Sequence, residues 1–483
     1  MQSVVPSWTG FNIKTQNLVE VREDIIGYLP TINAPATELS IVQEILVQSQ
    51  LIHTSLSLND IVVVVDQALY AKAAEIVWRQ RDKYKQITLR LGTSHTAMNS
   101  LSILGKRFQD AGLRDVCIES GLHMEGSVKQ VMEGRMYNRA VRVHKIVYEA
   151  PFRLKRGCFI QWLREDPAPM SALVTETEEL VAHLHDNVDQ TTLEDVLKNP
   201  TFHKMHDLWQ EFCHHLRNDN GDLSAFWMSY VDFVQDVLLG LLRASREGNW
   251  DLHVFAICAM IPWCFTYDKL NYARFLPAYY ADMTNLPTDH PEVYEAFRAG
   301  YFSVQLSAGN AFGRLPVDQT TEVTVNKDTK AAGGTTRFSL KPGAVSRYYL
   351  IAEYRSAFLT QLRDMVGLNE KDDEHSNLKK SRMATDEAAV TAVIETLSSW
   401  VNPFEVNRNL SSVSTGVEAP REVAADLKRA HEAGEKAYDA FRSERLESAQ
   451  PVKKFHDPMK KLQLKTFASI KKRRRPRPKM GVA

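Results

Sequence analysis

NDIVVVVDQALYAKAAEIVWRQRDKYKQITLRLGTSH, residues 59–95, alternates the patterns of strands and helices. The β-branched run Ile61–Val65 predicts a buried strand, and a segment with helical spacing follows over 67–84. A second short apolar strand is predicted at Ile87–Leu91. A strand, a helix and a second strand in this order are typical of a parallel pair with a crossover helix, so an α/β core is expected.

Acidic residues next to this unit are candidates for chemistry. Asp66 directly follows the first strand, where a carboxylate on a rigid element suits a hard divalent cation. Asp66 also precedes a helix, and its spacing favours an N-cap over a metal ligand. Glu322, in DQTTEVTVNKD, supplies a second carboxylate from far along the chain, with a solvated turn or helix-start residue as the alternative.

The composition is that of a globular intracellular protein. The 483 residues contain 59 Lys and Arg against 59 Asp and Glu, and the five cysteines are widely spaced, which favours buried thiols in a reducing compartment. We expect no signal peptide and no membrane span, because no apolar run is long enough. The chain has no P-loop, GxSxG, HExxH, CxxC or GxGxxG context, which argues against the common nucleotide-binding, hydrolase and protease classes.

The last 33 residues are strongly basic. Residues 451–483 hold twelve Lys or Arg and one acid, Asp457, so the rest of the chain has an excess of eleven acids. The stretch KKRRRPRPK predicts recognition by a nuclear import receptor, a nuclear location and contact with phosphates, the alternative being a solubilising tail. The residues assigned to import are Lys471, Lys472, Arg473, Arg474, Arg475, Arg477 and Lys479.

Residues 172–310 have helical spacing and no strand pattern. Their many aromatic residues are expected in a core rather than on a binding surface. A basic amphipathic stretch, Arg135 to Arg156, is interpreted as a solvated helix face, with phosphate binding as the minority alternative. Two further groups resemble metal sites but are interpreted as helix-surface or core residues: His203, His206, Cys213, His214 and His215, and the pair Asp232 and Asp236.

Several blocks of sequence resemble an uncharacterised domain-of-unknown-function family of transposon-like genes in invertebrate genomes. They include IVVVVDQALYAKAAEIVW, LRLGTSHTAMNSLSILGKRFQDAGLRD, GRMYNRAVRVHKIVYEA, REGNWDLHVFAICAMIPWCFTYDKLNYARFLPAYY and PVDQTTEVTVNKDTKAAGGTTRFSLKPGAVSRYYL. Together they cover most of residues 5–365. The layout of that family is similar to ribonuclease-H-like transposases of the hAT kind, with an acidic strand, a helical insertion and a late glutamate.

The resemblance implies roles for three residues. Asp66 would be the first metal-binding acid, Glu322 the late one, and His95 the histidine of the family's G-x-x-H element, with Mg²⁺ or Mn²⁺ as the cofactor if the site is active. The family often carries an acid directly after the glycine, where this chain has Thr93. A third acid is needed, and Asp110, Asp251 and Asp268 are its candidates.

The expected fold is predominantly α overall: a ribonuclease-H-like α/β core interrupted by a large helical insertion, then a helical extension and a disordered basic tail. The predicted boundaries are an irregular N-terminal segment (1–35), the first part of the core (36–165), the insertion (166–305), the second part of the core with a Gly/Thr-rich loop (306–367), a linker with C-terminal helices (368–450) and the tail (451–483).

Three functions follow from this interpretation. The first is a transposon-derived nuclear protein with a degraded catalytic core that acts through DNA or protein binding. The second is an active metal-dependent DNA transposase or nuclease, which requires Asp66, Glu322 and a third carboxylate to converge in space. The third is a helical interaction scaffold, which requires an exposed apolar groove in 172–310.

Overall fold

The structure is a computed structural model. It describes residues 6–16, 22–27, 29, 32, 34–164, 170–306, 312–326, 342–367, 375–405 and 407–447. The basic stretch 471–479, to which import is assigned, and most of the Gly/Thr-rich loop lie outside the described residues.

Helices make up most of the described chain, as the sequence predicts. In chain order they are α1 (Trp8–Lys14), α2 (Leu39–Ser55), α3 (Gln67–Arg79), α4 (Arg81–Tyr84), α5 (Thr93–Phe108), α6 (Leu113–Glu119), α7 (Glu125–Met132), α8 (Tyr137–Arg164), α9 (Met170–Asp186), α10 (Gln190–Lys198), α11 (Pro200–Asn218), α12 (Gly221–Phe233), α13 (Gly240–Glu247), α14 (Trp250–Thr266), α15 (Leu270–Asp289), α16 (Pro291–Arg298), α17 (Val317–Thr321), α18 (Pro342–Leu350), α19 (Ala352–Met365), α20 (Lys380–Ser399), α21 (Arg421–Lys428) and α22 (Ala430–Phe441). Short 3₁₀ turns lie at Gln109–Ala111 and Ser376–Leu378, and π-helical turns at Val234–Leu239, Glu322–Asn326 and Arg442–Leu446.

The predicted strand–helix–strand unit is present. Strand β1 (Ile61–Val65) pairs in parallel with β2 (Ile87–Leu91), from Ile61 opposite Ile87 to Val65 opposite Leu91, and α3 forms the crossover. Two further strands, β3 (Ser303–Val304) and β4 (Leu315–Pro316), form a two-residue antiparallel pair.

The expected ribonuclease-H-like sheet is not evident in the part of the chain that the structure describes. There the parallel sheet has two strands, whereas a ribonuclease-H core needs several. The physical reason is that helices pack where further strands would pair: α2 and α17 contact β1, and α3 contacts both strands. The strand pattern in the sequence correctly predicted two strands but could not show that, among the described residues, no third strand joins them.

All five residues of β2 are buried, including Arg90. The Arg90 guanidinium carbon lies 5.8, 5.1 and 5.3 Å from the ring centroids of Trp250, Phe297 and Phe302. Its Nη1 also donates to the Phe302 carbonyl at 2.5 Å. Aromatic faces attract a desolvated cation, so Arg90 fastens the strand pair to the helices of the 250–305 region.

One hydrophobic cluster extends from Val42 to Phe441. Most aromatic residues of the helical segment belong to it or pack against it, as expected, whereas Phe255 and Tyr301 are 53% and 62% exposed. The five cysteines are free, and all but Cys258 are buried, in agreement with the sequence analysis.

The sequence analysis expects no membrane span. One stretch is nevertheless long and apolar enough to cross a membrane, judged by length and composition alone. The continuous helical stretch Gly221–Glu247 meets that test. However, 67% of its most apolar window is buried inside the structure, as in the core helix of a soluble protein. Polar residues interrupt this helix, so no uninterrupted apolar run in the sequence indicates its length.

Candidate functional site

The candidate site lies at the carboxyl ends of β1 and β2. Parallel strands end at the same edge of their sheet, which places Asp66, after β1, near the Gly92–His95 turn after β2. Helix α17 packs against β1 and α5 and brings Asp318 to the same edge, and Glu322 follows in the next π-helical turn.

Asp318 is the best-connected residue of the site. Its Oδ1 accepts a hydrogen bond from the Ser94 amide at 3.2 Å. Its Oδ2 accepts from the Ser94 hydroxyl at 2.6 Å, from the His95 amide at 3.1 Å and lies 2.9 Å from His95 Nδ1. These amides belong to the first turn of α5, which has no intrahelical acceptors for them and carries the positive end of the helix dipole. Asp318 therefore caps α5 from a distant part of the chain.

His95 and Asp318 shift each other's pKa. The hydrogen bond to Asp318 raises the pKa of His95 against the opposing effect of burial, and the negative charges of Asp318, Asp66 and Glu322 raise it further. Burial would raise the pKa of Asp318, but the hydrogen bonds from His95 and Ser94 outweigh it and lower the pKa below its usual value. The side chain of His95 is 36% exposed and that of Asp318 only 9%. The site thus pairs a half-buried imidazole, which takes up a proton more readily than a free histidine, with a buried carboxylate.

Asp66 is an N-cap, as its spacing favoured. Its Oδ1 accepts from the Leu69 amide at 3.0 Å, and its backbone is extended with ψ 169°, as cap residues are. Glu322 is exposed at the start of its π-helical turn. The structure brings both acids close enough to His95 for their charges to act on it.

The sequence analysis missed Asp318. The residue stands four positions before Glu322, a spacing that puts two side chains on one helix face, and this signal was available. Its partners in the Ser94–His95 turn lie more than 220 residues away in sequence, so no local pattern could have linked them.

The three acids proposed as the missing carboxylate serve elsewhere. Asp251 forms an ion pair with Arg298 at 2.9 Å, and Asp268 lies 4.0 Å from Lys106. The pKa of Asp110 is raised by burial and by the nearby Asp115. None of these contacts involves the strand-end site.

The other suspected metal sites are also accounted for. The histidines and the cysteine of 203–215 all lie along α11, and Asp232 receives two hydrogen bonds from Arg217, at 2.7 and 2.9 Å. Among the described residues, no three His, Cys, Asp or Glu side chains lie close enough to hold one metal ion.

The residues at the strand ends do not fit a two-metal centre. Such a centre needs several carboxylates directed at ions about 4 Å apart. Here Asp318 uses both oxygens to accept hydrogen bonds, and Asp66 uses one on Leu69. The arrangement can stabilise two helix starts and hold a proton on His95.

Comparison with known proteins adds one match. No match to the chain was found among curated proteins or among solved structures. Residues 7–475 match one family model, described as a domain of unknown function, DUF8702. The match covers nearly the whole chain and confirms an uncharacterised domain family, while it carries no indication of a transposon origin or of a likeness to hAT transposases. The chain belongs to the DUF8702 family.

Proposed function

We propose that this protein is a transposon-derived nuclear protein that binds DNA without cutting it. In this proposal, Asp66, which the resemblance makes the first metal-binding acid, stabilises the start of α3 instead, and Asp318 stabilises the start of α5. The basic stretch 471–479 supplies nuclear import and much of the contact with phosphates.

The capping geometry of Asp318 supports the claim that the protein does not cut DNA. A carboxylate that accepts hydrogen bonds on both oxygens from Ser94 and His95 would have to weaken or break some of them to bind a metal ion. Breaking charge-assisted hydrogen bonds of a buried carboxylate costs about 1.5–3 kcal/mol each. The position is therefore better suited to holding the fold than to exchanging ligands.

The charge distribution supports the DNA-binding half. Residues 451–483 have twelve cations and one acid, while the remaining chain is acidic. An acidic body repels a polyanion, so most phosphate contact should come from the tail and should weaken steeply with salt.

Fluorescence anisotropy with a labelled DNA duplex tests this proposal on the full chain. The variant Arg473→Gln/Arg474→Gln/Arg475→Gln should bind more weakly, and the slope of log affinity against log salt should fall by about 0.9 for each phosphate that the variant no longer neutralises. A matched control removes three exposed cations of the body, Arg79→Gln/Lys198→Gln/Lys436→Gln.

The control variant should keep the affinity and the salt slope of the wild type. Equally weakened binding by both variants would mean that binding follows overall charge, and no binding by the wild type would end the DNA proposal. If the full chain does not bind DNA but does bind another protein, protein binding would replace DNA binding as the proposed function.

An active metal-dependent nuclease is the second candidate. The observation in its favour is that the negative charges of Asp318, Asp66 and Glu322 all contribute to the raised pKa of His95. A plasmid-nicking assay with Mg²⁺ or Mn²⁺ separates the two functions. Nicking that is abolished in Asp66→Ala/Glu322→Ala would establish the nuclease, whereas the DNA-binding proposal expects no nicking by the wild type.

The groove expected of a helical scaffold is also present. An apolar groove of about 300 Å³ lies between α8, α9 and α11, and its walls include Phe152, Phe159, Val181, Phe202 and Trp209. In the described part of the chain nothing identifies an occupant, so this feature supports the scaffold less directly than the tail supports DNA binding.

A further inference from the structure

A cavity of about 180 Å³ lies beside α8. Its walls come from α1, α8, α13, α20, β4 and α17. Five cations line it against two acids: Arg142, Lys145, Arg246, Arg314 and Arg382 against Glu149 and Asp386. Two of the cations lie in the basic stretch for which phosphate binding was the minority interpretation.

The two acids are already engaged. Asp386 forms ion pairs with Arg142 at 2.8 Å and Arg382 at 3.2 Å. Glu149 pairs with Arg153, at 2.5 Å, on the next turn of α8. Neither acid forms an ion pair with Lys145 or Arg246, although the charge of Asp386 partly offsets the lowering of the Lys145 pKa by burial.

Lys145 and Arg246 have no carboxylate within ion-pair distance among the described residues. Lys145 donates to the Thr9 hydroxyl at 2.8 Å, and its Nζ lies 4.1 Å from the Trp8 ring centroid. The Arg246 guanidinium lies 5.7 Å from the Phe312 ring centroid. Burial lowers the pKa of Lys145 to about 7, and the like charge of Arg246 contributes to the same shift. Two desolvated cations held together are costly unless an anion joins them.

Hydrogen-bond donors in the same cavity also need an acceptor. The Tyr137 hydroxyl and the Arg142 Nε are buried, and neither has a hydrogen-bond partner among the described residues. Buried polar groups are nearly always paired, so donors of this kind indicate a missing acceptor. A phosphate offers three or more acceptor oxygens and two negative charges in a small volume.

We propose that this cavity binds a phosphate monoester or inorganic phosphate dianion through Lys145 and Arg246, with hydrogen bonds from Tyr137 and Arg142. The phosphate comes either from a small free molecule or from the terminal phosphate of a nucleic-acid strand. The inference rests on the cavity alone and holds whether or not the basic tail binds DNA.

Calorimetric titration of the full chain with inorganic phosphate tests the proposal, at constant ionic strength and with chloride as the reference anion. The wild type should bind phosphate, and Lys145→Met should weaken binding at least tenfold because it removes a charge-assisted hydrogen bond. Tyr137→Phe keeps the ring and removes the hydroxyl, so it should weaken binding several-fold with little effect on the fold. Arg139→Gln is the matched control, since Arg139 is exposed on α8 and does not line the cavity.

A second titration identifies the source of the phosphate. It compares a short single strand with and without a 5′-phosphate. Tighter binding of the phosphorylated strand than of inorganic phosphate, abolished in Lys145→Met, assigns the cavity to strand ends. Binding of inorganic phosphate alone assigns it to small molecules. The proposal is overturned if the wild type binds none of these anions, or if folded Lys145→Met and Tyr137→Phe bind phosphate as well as Arg139→Gln does.

Discussion

His95 and Asp318 depend on each other for their charge states. The carboxylate raises the pKa of the imidazole, and the imidazole and Ser94 lower that of the carboxylate. Both residues act on the first turn of α5, so their ionisation is linked to the stability of that helix and of the strand end before it.

The destabilisation caused by His95→Gln should depend on pH. Because the pKa of His95 is raised in the folded state, its stabilisation is fully present below its unfolded value of about 6.5 and is lost as the pH rises through the folded value. We expect a decrease in the free energy of unfolding of about 1 kcal/mol near pH 5.5 and a smaller decrease near pH 8.5, since His95 is partly exposed.

Urea unfolding at the two pH values measures this difference. His203→Gln, at an exposed position on α11, is the control and should change the free energy of unfolding little at either pH. A destabilisation by His95→Gln that grows towards alkaline pH would contradict the assignment.

Gly92→Ala should disturb the same pair. The φ of Gly92 is −61°, which alanine adopts without strain, but an added Cβ would overlap Asp318 Oδ2. We expect a destabilisation of about 1–3 kcal/mol, typical of overpacking, and a lower pKa of His95 as Asp318 is displaced. An NMR titration of His95 measures the pKa, and Gly126→Ala, where the Cβ meets open space, is the control. An unchanged His95 pKa would contradict the geometry.

For single residues, the sequence indicated candidate positions in the site better than it indicated which residues contact each other. Asp66, His95 and Glu322 were candidates from the sequence and from the family resemblance, and the charges of Asp66 and Glu322 contribute to the raised pKa of His95. Asp318 was missed because a single acid in PVDQTT has no local feature that indicates burial. Its carboxylate accepts hydrogen bonds from a turn more than 220 residues away in sequence.

Among the elements, α14 and α22 pack unusually closely at Gly434. A Cβ there would overlap the Pro262 carbonyl and the Thr266 hydroxyl of α14. The same hydroxyl donates to the carbonyls of Pro262 and Ala430, at 3.0 and 2.8 Å. The absence of a side chain at Gly434 lets the C-terminal helix lie against the core.

Gly434→Ala should therefore lower the free energy of unfolding by about 1–3 kcal/mol, because backbone atoms of α14 cannot move aside locally. Gly157→Ala, in an open position of α8, is the matched control and should stabilise the protein by about 0.4–1 kcal/mol. Denaturant unfolding measures both. Equal effects of the two substitutions would mean that the close approach is absent in solution.

The elements themselves were largely predictable. β-Branched runs and helical periodicity predicted β1, β2 and most of the long helices, because these patterns are local. The extent of the sheet was not predictable, since the number of strands that pair depends on which helices cover β1 and β2. In the described chain α2 and α17 contact β1, and the ribonuclease-H-like expectation failed there.

For the whole molecule, nuclear import remains a prediction from the basic tail. Replacing Lys471, Lys472, Arg473, Arg474 and Arg475 with glutamine should leave a fluorescent fusion of the full chain in the cytoplasm, because import receptors recognise clustered cations. A variant with the same number of exposed body cations replaced is the control. Unchanged nuclear accumulation of the tail variant would contradict the prediction.

The central claim is that the acids at the strand ends stabilise helices rather than hold a metal ion. Its most direct test is the free energy of unfolding of the full chain, measured in a chelator and in millimolar Mg²⁺ or Mn²⁺. We expect Asp318→Asn to be destabilised by about 2–3 kcal/mol equally in both conditions, and the wild type to be unaffected by the metal. A wild type stabilised by the metal, with that stabilisation removed by Asp66→Ala/Glu322→Ala, would contradict the claim and support the nuclease.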